Sequence, residues 1–137
     1  MEKIVCVSDY FDPINTNHIE YCKNAKVTTG AEHLIVIVKD DGQSITPLDE
    51  RIAILKEFWF INRVIGSIDT DGTVCKTLES IQPKPDYFCN GGDQEALTCK
   101  KLNITIVDVD GLQCFEKERT IWQRIWDGVE YLLYNHI

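Results

Sequence analysis

With 137 residues, 44% of them apolar and 26% charged, the chain can build one core but is too short for two, so a single domain over residues 1–137 is expected. Lys plus Arg number 14 against 22 Asp plus Glu, a net charge of −8 that repels nucleic-acid backbones and anionic lipid. The longest apolar stretch, Leu34 to Val38, falls far short of the roughly 20 residues that span a bilayer, and no secretory leader pattern is visible, so a cytoplasmic protein without a membrane partner is expected.

The first expected strand, Lys3 to Ser8, is followed by a helix that Asn17 can cap and that turns Ile19, Cys22 and Ala25 inward. His33 to Lys39 reads as a second strand. Thr46-Pro47-Leu48-Asp49 then supplies a capping hydroxyl, a proline at the first helical position and an acid in the first turn, ahead of Ile52, Leu55 and Phe58. After a strand at Arg63 to Ser67, Val74, Leu78 and Ile81 mark a third helix that must end before Pro83 and Pro85. Strands at Asp86 to Asn90 and Ile104 to Asp108 flank a helix from Gln94 to Leu102. The last helix begins near Lys117, and its wide apolar arc, with Trp122 and Trp126 beside Ile121 and Ile125, serves a core and leaves room for a homodimer contact.

Strands this continuously apolar suit a parallel sheet covered on both faces, so the expected fold is α/β: a Rossmann-like, doubly wound, five-stranded parallel sheet with helices on both sides. Ligands of such sheets bind beyond the carboxyl ends of the strands, where strand order reverses. The six cysteines contain no C-x-x-C pair, which leaves a structural zinc site unsupported. Cys6 and Cys89 sit inside apolar runs and are expected to be buried thiols.

The loop after the first strand reads Val7-Ser8-Asp9-Tyr10-Phe11-Asp12-Pro13-Ile14-Asn15-Thr16-Asn17-His18. It resembles the opening of the cytidylyltransferase-like nucleotidyltransferases, of the glycerol-3-phosphate cytidylyltransferase and ADP-heptose synthase adenylyltransferase-domain type, which read G-x-F-D-P-x-H-x-G-H at the same spacing. The likeness continues through Glu50-Arg51, Ser67-Ile68-Asp69, Pro85-Asp86 and Asn90-Gly91-Gly92-Asp93. It implies transfer of a nucleotidyl group from CTP or ATP to a small phosphorylated alcohol or sugar, with pyrophosphate released and Mg²⁺ accompanying the triphosphate. By the same resemblance, His18 and Asn15 would contact the phosphates, and Tyr10, Phe11, Asp12, Gly91, Gly92, Asp93 and Arg119 would belong to the nucleotide pocket, with Asp12 helping to order the loop.

Several positions depart from that pattern. Asn15 replaces the first motif histidine and cannot carry positive charge. Asn17 stands where a glycine would open the helix, and Asp9 where a leading glycine would let backbone approach the nucleotide. Two unit charges about 4 Å apart repel by roughly 4 kcal/mol at an effective dielectric of 20, worth several hundredfold in the affinity of a phosphate ligand. The Lys-rich loop after the second strand and the late Ser/Thr signature are also missing. Asp9, Asp12, Asp40, Asp41, Asp69, Asp71, Asp93, Asp108 and Asp110 follow strand ends, either as ordinary turn residues or as an acidic rim that attracts a cation. Three functions stay open on this reading: a nucleotidyltransferase, a catalytically silent relative that binds a small molecule or a protein partner, and a structural dimer module.

Overall fold

The computed structural model describes residues 2–90 and 104–108. Its strands are β1 (Ile4–Asp9), β2 (His33–Val38), β3 (Arg63–Gly66), β4 (Tyr87–Asn90) and β5 (Thr105–Asp108), and its helices are α1 (Thr16–Thr29), α2 (Leu48–Lys56) and α3 (Cys75–Ser80). All neighbouring strands pair in parallel, in the order β3-β2-β1-β4-β5. The expected α/β class and five-stranded sheet are thus present, with strand limits within a residue of the sequence reading. The expected helices at Gln94–Leu102 and from Lys117 onward lie outside the described residues.

Two apolar layers sandwich the sheet. Val5, Val7, Leu34, Val36 and Val38 alternate onto one face beneath α1 and α2, while Cys6, Ile35, Ile37 and Phe88 pack on the other against Val74, Leu78 and Ile81 around α3. The central strands therefore read as unbroken apolar runs, because both of their faces are covered. Helix α1 buries His18, Tyr21, Cys22 and Ala25, a stripe spaced at i, i+3, i+4 and i+7. It ends at Gly30, whose left-handed φ of 70° lets its N–H bond the Lys26 carbonyl at 3.0 Å.

Two helix starts differ from expectation. The cap of α1 is Asn15, and Asn17 lies exposed as the second helical residue. Asn15 is the cap, and His18 three residues later completes a reciprocal capping box with it. Pro47 occupies the cap position of α2 without a side-chain cap bond, and the Thr46 hydroxyl does not cap. An acid from elsewhere in the chain, Asp12, accepts the Thr46 N–H instead, at 3.0 Å. Phe58 falls just past α2 and packs against the core from the following turn.

Cys6, Cys22 and Cys89 are free thiols and fully buried, as expected for Cys6 and Cys89, whereas Cys75 is disulfide-bonded. Burial pushes the thiols of Cys22 and Cys89 up to about 12 and that of Cys6 higher still. Because the folded-state value is the raised one, the stability these thiols lend is complete below the ordinary thiol range and is lost as pH climbs through it. Unfolded cysteines then ionise while folded ones cannot, at about 1.4 kcal/mol per pH unit for each thiol. The urea midpoint is therefore expected to fall steeply between about pH 9 and 11, and the three thiols to react with a chromogenic disulfide reagent only after unfolding. Prompt reaction of all three in the folded protein would contradict their placement.

Candidate functional site

The reversal of strand order lies between β1 and β4, so the carboxyl ends of β1, β2 and β4 and the start of α1 define where a ligand would sit. The β1 strand ends at Asp9, which is only 7% exposed. Its Oδ1 accepts the Tyr10 N–H at 2.7 Å, and its Oδ2 faces His18 Nε2 at 3.9 Å. The Asp9 side chain thus lies inward, beside the histidine.

His18 is fully buried on the first turn of α1. Its Nδ1 accepts the Asn15 N–H at 3.2 Å, which leaves the proton of a neutral ring on Nε2, the nitrogen turned toward Asp9. The Phe11 ring packs on it with centroids 5.0 Å apart. Phe11 itself has a φ of 54°, a left-handed conformation costing a non-glycine residue about 1–2 kcal/mol, which full burial of the ring offsets.

The amide groups that open α1 are already engaged. Asn15 Oδ1 accepts the N–H groups of Asn17 at 3.0 Å and His18 at 3.2 Å. A helix start binds anions because its first N–H groups are unsatisfied, and here the chain's own carboxamide satisfies two of them. Asn15 therefore acts as a cap, where the resemblance would have it contact phosphate.

Further carboxylates hold loops together. Asp12, 1% exposed, accepts the N–H groups of Ile45 at 2.7 Å and Thr46 at 3.0 Å, tying the segment after β1 to the segment before α2. Asp12→Ala is expected to cost about 2–3 kcal/mol, since two amides lose a charged acceptor, and Asp12→Asn about half as much. Urea unfolding checks this, and a change under about 0.5 kcal/mol for Asp12→Ala would refute the role.

Two residues not singled out as site builders in the sequence matter most to this geometry. Arg51 on α2 is fully buried. It donates to the carbonyls of Thr46 (2.9 Å), Tyr10 (2.7 Å) and Lys39 (2.8 Å), to Asp40 Oδ1 (3.1 Å) and to the Ser44 hydroxyl (2.9 Å). Lys39 follows β2, is 8% exposed, and holds its Nζ 4.9 Å from the Tyr10 ring centroid. A lysine does stand near the site, although the Lys-rich loop is gone. The sequence signals were an arginine four residues before Leu55 on the inward side of a helix, and a lysine closing an apolar strand.

Of the other acids at strand ends, Asp40, Asp41, Asp69 and Asp71 serve turns and a helix start. Asp40 accepts from Arg51 and Ser44, Asp41 from the Gln43 N–H, and Asp71 from Thr73. Asp69 reaches the first turn of α3, accepting the N–H groups of Lys76 at 2.8 Å and Thr77 at 3.0 Å. Among the described residues no group of three His, Cys, Asp or Glu side chains could hold a metal ion. Asp9, Asp40, Asp41, Asp69 and Asp71 each accept from the chain's own donors, so among the described residues no set of uncommitted carboxylates stands ready for a protein-held Mg²⁺. Gly91, Gly92, Asp93 and Arg119, with Asp110, lie outside the described residues.

Tyr21 closes the site from below, donating its hydroxyl to the Cys89 carbonyl at 2.8 Å and so joining α1 to β4. Burial, and then the neighbouring Asp9 charge, raise this phenol well above its ordinary range, as they do the Cys22 thiol. Among the described residues no helix is long and apolar enough to cross a membrane.

Sheet order, parallel pairing and coverage by helices on both faces make this a Rossmann-like α/β fold. The chain is similar to the lipopolysaccharide core biosynthesis protein from Thermoplasma volcanium GSS1, whose crystal structure it matches with a TM-score of 0.65 and 25% sequence identity, over 82% of this chain and 100% of that one. No family model and no curated protein matches the sequence.

Proposed function

We propose that this chain is a catalytically silent relative of the nucleotidyltransferases, which keeps the fold and the position of their site but accepts an uncharged or cationic small molecule in place of a triphosphate. The observation that carries this reading is the buried Asp9 carboxylate beside His18, above a helix start whose amides are capped by Asn15. Each feature removes or opposes an interaction that a triphosphate needs. Similarity to a lipopolysaccharide core biosynthesis protein supports descent from a biosynthetic protein.

Lys39 and His18 favour a second reading, retained transfer, because both put nitrogen donors at this end of the sheet. An attacking phosphate or hydroxyl would then displace pyrophosphate in line, with the two side chains offsetting charge on the α-phosphate. Calorimetric titration with CTP and ATP, with and without Mg²⁺, separates the readings when joined to an assay for pyrophosphate. Neither triphosphate is expected to bind at millimolar concentration. Tight binding with pyrophosphate release would establish transfer and overturn the silent reading.

A further inference from the structure

We infer that the opposite end of the sheet carries a second binding site, for a small organic monocarboxylate with a short apolar body. The amino ends of β1, β2 and β3 bound a cavity of about 370 Å³, within the size range of small-molecule sites. Its apolar lining comes from Ile4, Ile35 and Pro83. Its polar lining is made chiefly of donors. Arg63 is the first residue of β3 and the register partner of Ile35, and its side chain makes no hydrogen bond or ion pair among the described residues. Asn62 uses its Oδ1 to accept from the Leu34 N–H at 2.8 Å and Lys26 Nζ at 3.2 Å, so the amino half of the carboxamide is the part left to donate.

Charge selects the ligand. Glu2 lines the same cavity and is hydrogen-bonded to the His33 ring, and the Arg63 guanidinium is the permanent positive charge of the lining. A guanidinium offers a planar fork matched to a carboxylate, and its attraction in an otherwise acidic protein is local. A second negative charge on the ligand would meet Glu2, so a monoanion is favoured over a phosphate ester. This site lies across the sheet from the Asp9 end and does not depend on what binds there.

The probes are benzoate, benzamide and phenyl phosphate, added to the full chain while backbone amide resonances are followed. Benzoate is expected to shift the amides of Ile4, Leu34 and Arg63 saturably, and to bind about tenfold more tightly than benzamide or phenyl phosphate. Arg63→Gln, at an exposed position, is expected to lower benzoate affinity about tenfold and leave benzamide unchanged. Absence of saturable shifts at millimolar benzoate, equal binding of benzamide by the unaltered chain, or shifts confined to the loops after β1 and β2 would each overturn the proposal.

Discussion

Arg51→Met is expected to destabilise the fold by about 3–5 kcal/mol, the range for removing one partner from a buried charged network. Methionine fills much of the space of the arginine stem, so the loss measures the bonds more than a cavity. Three backbone carbonyls, those of Tyr10, Lys39 and Thr46, would each lose a donor inside the protein. An unsatisfied buried carbonyl costs about 1–3 kcal/mol, and partial access of water to the loops keeps the sum below the arithmetic maximum. The Asp40 contact adds little, since that side chain is 34% exposed and solvent screens it. Arg51→Lys keeps the charge but lacks the fork that reaches three segments at once, so it is expected to recover only a minor part. Thermal unfolding reads this as a fall of roughly 10–20 °C, and a fall of less than about 4 °C would show that the three loops hold without the guanidinium.

Asp9→Asn is expected to raise affinity for a triphosphate by about a hundredfold or more. The substitution removes one charge and keeps the shape, and Asn Oδ1 can still accept the Tyr10 N–H that Asp9 accepts at 2.7 Å. Roughly 4 kcal/mol of repulsion at about 4 Å is the upper bound for a phosphate lying where the His18 ring now faces the carboxylate. Relief of even two-thirds of it corresponds to about a hundredfold. Neutralising Asp12 gives no such gain, because that carboxylate is turned to the amides of Ile45 and Thr46.

The sheet was legible because β1 and β2 are unbroken apolar runs, a pattern that only strands covered on both faces require. The inward stripe of α1 was legible in part, through Cys22 and Ala25, but His18 and Tyr21 were not visible as core positions because each has a polar end. Two asparagines two residues apart both suit a cap, and the choice between them rests on a histidine side chain bonding back to the Asn15 N–H, a contact that propensity alone does not encode. Asp9 is inward because it closes β1, a strand whose residues are covered on both faces. The hub at Arg51 was not legible, because its acceptors come from positions 10, 39, 40, 44 and 46, which only the folded loops bring together. The acids at strand ends read first as turn and cap residues and second as a cation site, and the hydrogen bonds of Asp41 and Asp69 to nearby amides accord with the first.

Whether negative charge on Asp9 is what turns triphosphates away is tested most directly by titrating the unaltered chain and Asp9→Asn side by side with ATP and with uncharged adenosine. The substitution is expected to bring ATP from no detectable binding into the micromolar range and to leave adenosine where it was. Unchanged ATP affinity, or an equal gain for adenosine, would contradict it.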